Sequence, residues 1–334
     1  MRLVPSSSVK DFVGRWFCAW HLRELAIMAV AAFSITPAFS QNYPNKPIRM
    51  VTSPAGGGND LPARLVARAI SGQLNQQVIV DNRPTILVAD LVAKAPSDGY
   101  TLLVSGSAHW MGPLVDKTNY DPINDFSPIT LIDRAPSILV VHPSMPVKSV
   151  KQLVALAKSR PTELNFAVAA PGSSAFLGAI LFNHMAGVSV RRIPYKGTGQ
   201  ALTSVLGGET HALFGSAGAV ADFVKSGRLR ALAVGSAQPS ALAPGIPTLS
   251  ASGVPGFVSE TMHALFAPAK TPQAIVALLN QEVARYLQSA EAKNIFFKYG
   301  IEPVPSTPDE LTTTMKSEMA RLGPVLKAAG ISPQ

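Results

Sequence analysis

Short apolar runs that alternate with stretches of helical periodicity constrain this chain more than any other feature. The runs are Ile48–Thr52, Gln77–Val80, Thr101–Ser105, Ser137–Val141, Asn165–Ala169, Val190–Pro194, Ala212–Gly215 and Leu229–Val234. Between them Asp60–Leu74, Ser149–Ser159, Ala175–Ala186 and Ala201–Leu206 read as helices. Strands alternating with helices need crossover connections, so the pattern predicts α/β units with mostly parallel sheets. Ser149 with Gln152, and Thr307-Pro308 with Glu310, fit capping boxes, and Thr271-Pro272 places a proline at a helix start. From there Ile275, Val276, Leu279, Val283 and Leu287 form one apolar face. Val140–Pro146 and Ala264–Pro268 are extended and marked by proline, and they read as crossings between two lobes. The expected organisation is an export segment over 1–40, a first α/β lobe over 41–141 and a second over 142–263. Residues 264–334 then return to the first lobe with C-terminal helices.

Two of the strand-to-helix junctions carry chemistry. After Ile48–Thr52 the chain runs Ser53-Pro54-Ala55-Gly56-Gly57-Gly58-Asn59 and restarts as a helix at Asp60. Glycines there remove the Cβ atoms that would hold a ligand away from the backbone. The first-turn N–H groups lack intrahelical partners and the helix dipole favours negative charge, so the junction is suited to an anion. A similar junction, Ala170-Pro171-Gly172-Ser173-Ser174-Ala175, opens the helix in the second expected lobe. Ser173 or Ser174 either caps that helix or faces a ligand. Facing one another across a cleft, the two turns would clamp one carboxylate between backbone amides and hydroxyls. A third candidate, Gly106-Ser107-Ala108-His109-Trp110, follows Thr101–Ser105. All three fall at carboxyl ends of strands, where α/β folds gather their ligands.

The N-terminus argues for export. Arg2, Lys10, Arg15 and Arg23 precede an apolar core over Leu25–Ile35, and the small residues Ala38 and Ser40 suit cleavage before Gln41. The apolar run is shorter than the ~20 residues that span a bilayer. The single cysteine, Cys18, lies inside this segment, so a cleaved chain has no disulfide, zinc–thiolate site or cysteine nucleophile. The formal charge is +9, yet basic residues are scattered singly, and Arg191-Arg192 is the densest pair. Two adjacent arginines do not track a phosphate backbone, so no nucleic-acid partner is expected; the surplus gives a mild preference for anions.

Trp110 is the tryptophan that remains after cleavage, and it either stacks on a ligand ring or packs under a loop. His109, His142, His184, His211 and His263 show no metal-ligand spacing, so neither a metal nor a cofactor is expected. The chain lacks a Gly-x-Ser-x-Gly elbow and a Walker loop, and Gly197-Thr198-Gly199 is followed by Leu202 where a third glycine would stand. The weight therefore lies with binding rather than catalysis. A secreted hydrolase or isomerase using Ser107 or Ser174 is the alternative, and a sensory module that presents its ligand to a membrane partner is a third reading.

From about Tyr43 to the C-terminus the chain resembles the Bug-type periplasmic solute receptors of tripartite tricarboxylate transporters. The resemblance is carried by Tyr43-Pro44-x-x-Pro47-Ile48, Gly57-Gly58-x-Asp60 with Ala63-Arg64, and Asn82-Arg83-Pro84. Val92-Ala93-Lys94-Ala95, Asp98-Gly99-Tyr100-Thr101-Leu102-Leu103, Tyr120-Asp121-Pro122 and Pro194-Tyr195-Lys196-Gly197 continue it in order. So do Gly227-Arg228-Leu229-Arg230-Ala231-Leu232-Ala233, Pro247-Thr248 and Leu265-Phe266-Ala267-Pro268. It implies a two-lobed periplasmic-binding-protein-like fold whose interlobe cleft holds an organic carboxylate for membrane transporter subunits. Mapped onto this chain, the ligand residues would be Ser53, Ala55, Gly56, Gly57, Gly58, Asn59 and Asp60 of the first turn. Gly172, Ser173, Ser174 and Ala175 of the second would face them, with Gly106, Ser107, His109, Trp110 and Ser216 lining the same cleft.

The chain departs from the family at three places. Asn82-Arg83-Pro84 runs into the apolar Thr85-Ile86-Leu87-Val88 in place of a glycine-rich stretch. Ser53 stands where an aromatic residue is common. Phe214-Gly215-Ser216-Ala217 replaces a Phe-Asp-Asn sequence. The last change removes the natural partner of a ligand amine, and an ammonium buried without a counter-charge costs several kcal/mol. The expected ligand is therefore a carboxylate without a free amine, aromatic or dicarboxylic.

Overall fold

The computed structural model describes residues 43–56, 58–161, 163–169 and 171–333. The export segment expected over 1–40, together with Gly57 and Ala170 of the two turns, lies outside them. The described chain is α/β, as the alternation predicts, but its sheets are mixed rather than mostly parallel, because the strands Phe126–Val141 and Glu260–Pro268 run antiparallel to their neighbours. A first sheet runs in the order β2 (Val78–Asn82), β1 (Ile48–Thr52), β3 (Thr101–Gly106), β9 (Glu260–Pro268) and β4 (Phe126–Val141). Here β1 is parallel to both β2 and β3, whereas β9 runs antiparallel to β3 and to β4. In the second sheet β4 pairs antiparallel with β7 (Ala212–Ser216) and β8 (Arg230–Val234). There β5 (Asn165–Val168) lies parallel to β7 and to β6 (Arg191–Pro194). The short β10 (Glu302–Pro303) adds to β4 in the first sheet.

One strand therefore serves both sheets. Residues Phe126–Pro136 of β4 pair with β9, and Ser137–Val141 pair with β7 and β8. The sequence pattern announces only Ser137–Val141, because Pro128, Asp133, Arg134 and Pro136 interrupt the apolar run before it. Register shifts at Pro128/Thr130 and Leu131/Asp133 absorb that interruption, as bulges do in a bent strand. The passage from sheet to sheet falls between Pro136 and Ser137, upstream of the expected Val140–Pro146 crossing. On the other side it falls in the segment between β8 and β9. Ala264–Pro268 is the second half of β9 rather than a linker, paired with β4 along its length and with β3 at Ala264–Phe266. At the junction the backbones of Ser137, Gly235 and Ser259 bond to one another in a ring: Ser137 N to Ser259 O, Gly235 N to Ser137 O and Ser259 N to Gly235 O.

Helices cover the sheets. Those beside the first are α1 (Asp60–Gln73), α2 (Thr85–Ala93) and α3 (Ala108–Val115). The middle of the chain supplies α4 (Val150–Ser159), α5 (Ser174–Ala186), α6 (Thr198–Leu206) and α7 (Ala217–Lys225). The C-terminal part adds α8 (Gln273–Gln288), α9 (Ala290–Lys298) and α10 (Pro308–Ala328). The apolar face of α8 is buried at all five expected positions and packs on β4 and α1. Thr307 and Glu310 close the predicted capping box on α10. Ser149 caps α4 through Gln152 N, but the Gln152 side chain turns to Lys148 N, so only half of that box forms. Leu311, Met315, Leu322 and Leu326 of α10 join the main core, where α10 lies against α3, α5 and β4. Among the described residues no helix is long and apolar enough to cross a membrane.

Candidate functional site

Turn 1 leaves β1 at Ser53 and enters α1 at Asp60. Gly56 adopts φ +77°, which a residue with a Cβ reaches only with strain. The turn is braced from below by a charged network. Asp60 accepts from Gly56 N at 2.9 Å, from Arg64 Nε at 3.1 Å and from Asn82 Nδ2 at 2.8 Å. Asn82 also donates to Ser53 O at 2.7 Å and accepts from Arg64 Nη2 at 2.9 Å. Burial pushes the Asp60 carboxyl up, and the bonds from Arg64, Gly56 and Asn82 outweigh it, holding the group below the ordinary range. Asp60 is thus occupied in shaping the turn. Ser53 is buried with it, while Ala55, Gly56 and Gly58 face solvent. Asp60 and Leu61 keep first-turn amides without intrahelical partners, and Pro62 has no amide to satisfy.

Turn 2 is held differently. Gly172 lies at φ +80°, and Ser173 caps α5 by accepting from Phe176 N at 3.3 Å. The capping alternative therefore applies to Ser173. The amides of Ser174 and Ala175 precede the first intrahelical bond of α5. Ser174 Oγ accepts from Thr261 Oγ1 of β9 at 2.9 Å.

Turn 3, at the end of β3, links the other two. A Cβ on Gly106 would stand 3.1 Å from both Asn59 Oδ1 and Met262 O and 3.4 Å from His263 Cδ2. One on Gly58 would stand 3.8 Å from His263 Nε2, and one on Gly172 would stand 3.8 Å from Ala108. The three turns thus come together at one end of the first sheet. Ser107 Oγ is buried there without a hydrogen-bond partner. With Ser174, Ser259, Glu260 and Glu318 it lines a cavity of about 20 Å³, room for a single water.

Two of the expected site residues, Trp110 and His109, sit in the core. Trp110 is fully buried, and its Nε1 donates to Glu318 Oε2 of α10 at 2.9 Å, so it anchors α3 to α10 and offers no face to a ligand. His109 is sealed among Tyr120, Phe126 and Phe266, with ring centroids 5.1, 4.5 and 4.9 Å away. Neither ring nitrogen has a partner, and burial pushes its pKa down to about 3, so it is a neutral core aromatic. The physical reason is helical geometry: only Ser107 and Ala108, at the mouth of α3, point back to the turns. Ser216 ends β7 opposite Ser137, at the passage between the sheets, and Ser137 bonds Ser259, which lines the same small cavity as Ser107 and Ser174. Gly215 beside it is required by packing, since a Cβ there would fall 2.5 Å from Val220 Cγ1. The apolar Thr85–Val88 stretch opens α2, where Ile86 and Leu87 are exposed. His263, which no spacing pattern marks, lies directly under turn 1. Among the described residues no three His, Cys, Asp or Glu side chains group as a metal site would require.

The profile of the tripartite tricarboxylate transporter family receptor matches residues 62–331. The chain belongs to that family. It is a Bug-type receptor in it: Protein BugT of Bordetella pertussis is 35% identical over 316 residues, covering 92% of this chain and 97% of that protein. The structure of R. palustris Rpa4515 with adipate superposes at a TM-score of 0.80 and 34% identity, covering 87% of this chain and 100% of that one. MatC from Rhodopseudomonas palustris with bound malate gives 0.76 and 28%, over 85% of this chain and 100% of that one. These relatives share the two-lobed α/β fold and are receptors rather than enzymes. The serine hydrolase alternative falls with them; Ser107 Oγ has no hydrogen-bond partner, and Ser174 Oγ meets the Thr261 hydroxyl.

Proposed function

We propose that this chain is an exported periplasmic receptor that captures a small dicarboxylate and delivers it to the membrane subunits of a tripartite tricarboxylate-type transporter. The observation that carries the reading is the meeting of turns 1, 2 and 3 at one end of the first sheet. Strand-end glycines and unpaired first-turn amides there form a set of donors suited to a carboxylate. The ligands of Rpa4515 and MatC, adipate and malate, are both dicarboxylates and support that class. With Trp110 in the core, the case for an aromatic acid loses its stacking face. The basic, apolar and small-residue blocks of residues 1–40 and the family's periplasmic role support export.

Ligand contacts come from Gly56–Asn59, Gly106–Ser107 and Gly172–Ala175, with Asp60 acting through the shape of turn 1. The half-sites complete their donor set only when the lobes approach. The lobes bend at the passages Pro136/Ser137 and Gly235–Ser259, because those are the backbone links between sheets. The test is a thermal shift with the cleaved protein against adipate, malate, a tricarboxylate, aspartate, glutamate and benzoate. A ligand at a hundred times its Kd adds about 2.7 kcal/mol of stability. Stabilisation by a dicarboxylate, with no product formed, supports the receptor. Stabilisation by aspartate or glutamate alone would refute the amine-free ligand. Scattering profiles unchanged at saturating ligand would refute closure.

A further inference from the structure

A buried ion-pair-like contact under turn 1 goes unused by the reading above. His263 on β9 is 5% exposed and Asp133, opposite it on β4, is fully buried. Their side chains meet at 2.7 Å, Nδ1 to Oδ1, and Asp133 Oδ2 has no partner. Among the described residues His263 Nε2 makes no hydrogen bond, and unlike both nitrogens of His109 it is not a fully buried atom. It points to the side of turn 1 where Gly58 lacks a Cβ, with Gly106 and the Asn59 side chain next to the ring. An imidazole that merely fills a core has no reason to leave one nitrogen open between two glycines.

We propose that His263 receives one carboxylate of the ligand at Nε2, that Asp133 is the positioning residue fixing its ring, and that a proton enters the site with the ligand. The proposal deepens the receptor reading and rests on it. The chemistry follows from counting protons. A buried carboxylate stays ionised only beside a donor, so Asp133 commits the ring's proton to Nδ1. The neutral ring then shows a lone pair at Nε2, which cannot accept a carboxylate. Docking needs a proton between the two, whether it lies on Nε2 or on the ligand's carboxyl group. The resulting imidazolium sits between two carboxylates, a charge-assisted arrangement that neither alone provides.

Among the described residues no other ionisable side chain bonds to the ring. Arg134, the next residue on β4, alternates to the opposite face and pairs with Glu260 at 3.6 Å. Asp60 is saturated by Arg64, Asn82 and Gly56 N. Residues Ser105 and Gly106 on β3 carry no charge, and Asp90 on α2 pairs with Lys94 at 2.8 Å. His109 on α3 is enclosed by aromatic rings.

The experiment is titration calorimetry of the cleaved protein with adipate and with malate, in two buffers of different ionisation enthalpy, from about pH 6 to about pH 8. The wild type is expected to take up protons on binding, and its affinity to fall as pH rises. His263→Leu should weaken binding at least a hundredfold. His263→Gln, which keeps a fixed N–H donor, should weaken it less and abolish proton uptake. Asp133→Asn should lower proton uptake while circular dichroism shows the fold kept. Undiminished binding by folded His263→Leu, or buffer-independent heats throughout, would overturn this proposal and leave the receptor reading standing. No heat from either acid with the wild type would overturn both.

Discussion

Turns 1 and 2 share a sequence grammar and differ in what holds them. Each joins a strand to a helix through a glycine at strongly positive φ, Gly56 at +77° and Gly172 at +80°. Turn 1 is fixed by charge from within its own sheet, through Asp60, Arg64 and Asn82. Turn 2 is fixed by a hydroxyl cap and by its seat on another element: Gly172 rests against Ala108 and Val115 of α3. The first is a self-contained anvil, and the second depends on where α3 lies. Under the closure proposed above, turn 1 is the half-site that stays and turn 2 the one carried by its neighbours.

Acid should separate them, and the largest effect belongs to turn 2. Its seat, α3, carries His109, whose pKa burial pushes down to about 3. The unfolded chain protonates this ring near the ordinary ~6.5, and the folded chain resists down to about 3. A depressed folded value means that stability is fully present above ~6.5 and is lost as pH falls, by about 1.4 kcal/mol per unit. By about pH 4.5 the loss approaches ~3 kcal/mol. His109→Phe retains the ring contacts with Tyr120, Phe126 and Phe266 and should abolish that slope in urea unfolding. An equal slope in wild type and variant would show that α3 does not carry the acid response.

The second effect tests turn 1. Asp60→Ala removes the acceptor that gathers Gly56 N, Arg64 and Asn82. Its cost should be about 2–3 kcal/mol at neutral pH, the cost of unpairing a partly buried charged network. Because the Asp60 carboxyl titrates below the ordinary range, its contribution is present above ~4 and fades only as pH falls further. The wild type should therefore lose α3's contribution first and turn 1's afterwards. If Asp60→Ala matched the wild type in unfolding at pH 7, the charged brace would be incidental.

The same contrast explains how far the sequence could be read. The strand-to-helix grammar at Ile48–Asp60 and Asn165–Ala175 is local, and β1, α1, β5 and α5 all form within a residue or two of where the pattern places them. The apolar face of α8 is legible for the same reason, since helical period and burial coincide. Residues decided by tertiary contact were not legible. Trp110 and His109 follow a cleft turn in sequence, but α3 rotates them into the core, and only the distant Glu318 and Phe266 show why. His263 looked unremarkable because its meaning depends on Asp133, which is 130 positions away. The long β4 was half hidden because bulges, invisible to a period-two pattern, let it carry prolines and charges.

A third test strikes the seat of turn 2 directly. Gly172→Val forces a β-branched residue to φ +80° and pushes its side chain toward Ala108 and Val115. The backbone term alone is about 1–2 kcal/mol. Ligand affinity should fall further than stability, because the first-turn amides of α5 move with the turn. Loss of stability with affinity intact, measured by thermal shift and calorimetry on one preparation, would detach turn 2 from the site.

The smallest effect distinguishes the two neighbouring serines. Ser173 caps α5, so Ser173→Ala should cost about 1 kcal/mol in unfolding with or without ligand, as cap removals do. Ser174 bonds Thr261 of β9 and reaches across from α5 to the first sheet. A neutral hydroxyl contact of that kind contributes about 0.5–1 kcal/mol, and only when its two elements are close. Ser174→Ala should therefore leave the free protein nearly unchanged if the lobes open without ligand, and weaken the ligand-bound form by that amount. The difference between the two alanine variants, each measured free and with saturating adipate, reads out whether turn 2 is a fixed cap or a moving contact. Equal costs in both states for both serines would mean that turn 2 stays as still as turn 1, and the asymmetry between the half-sites would be gone.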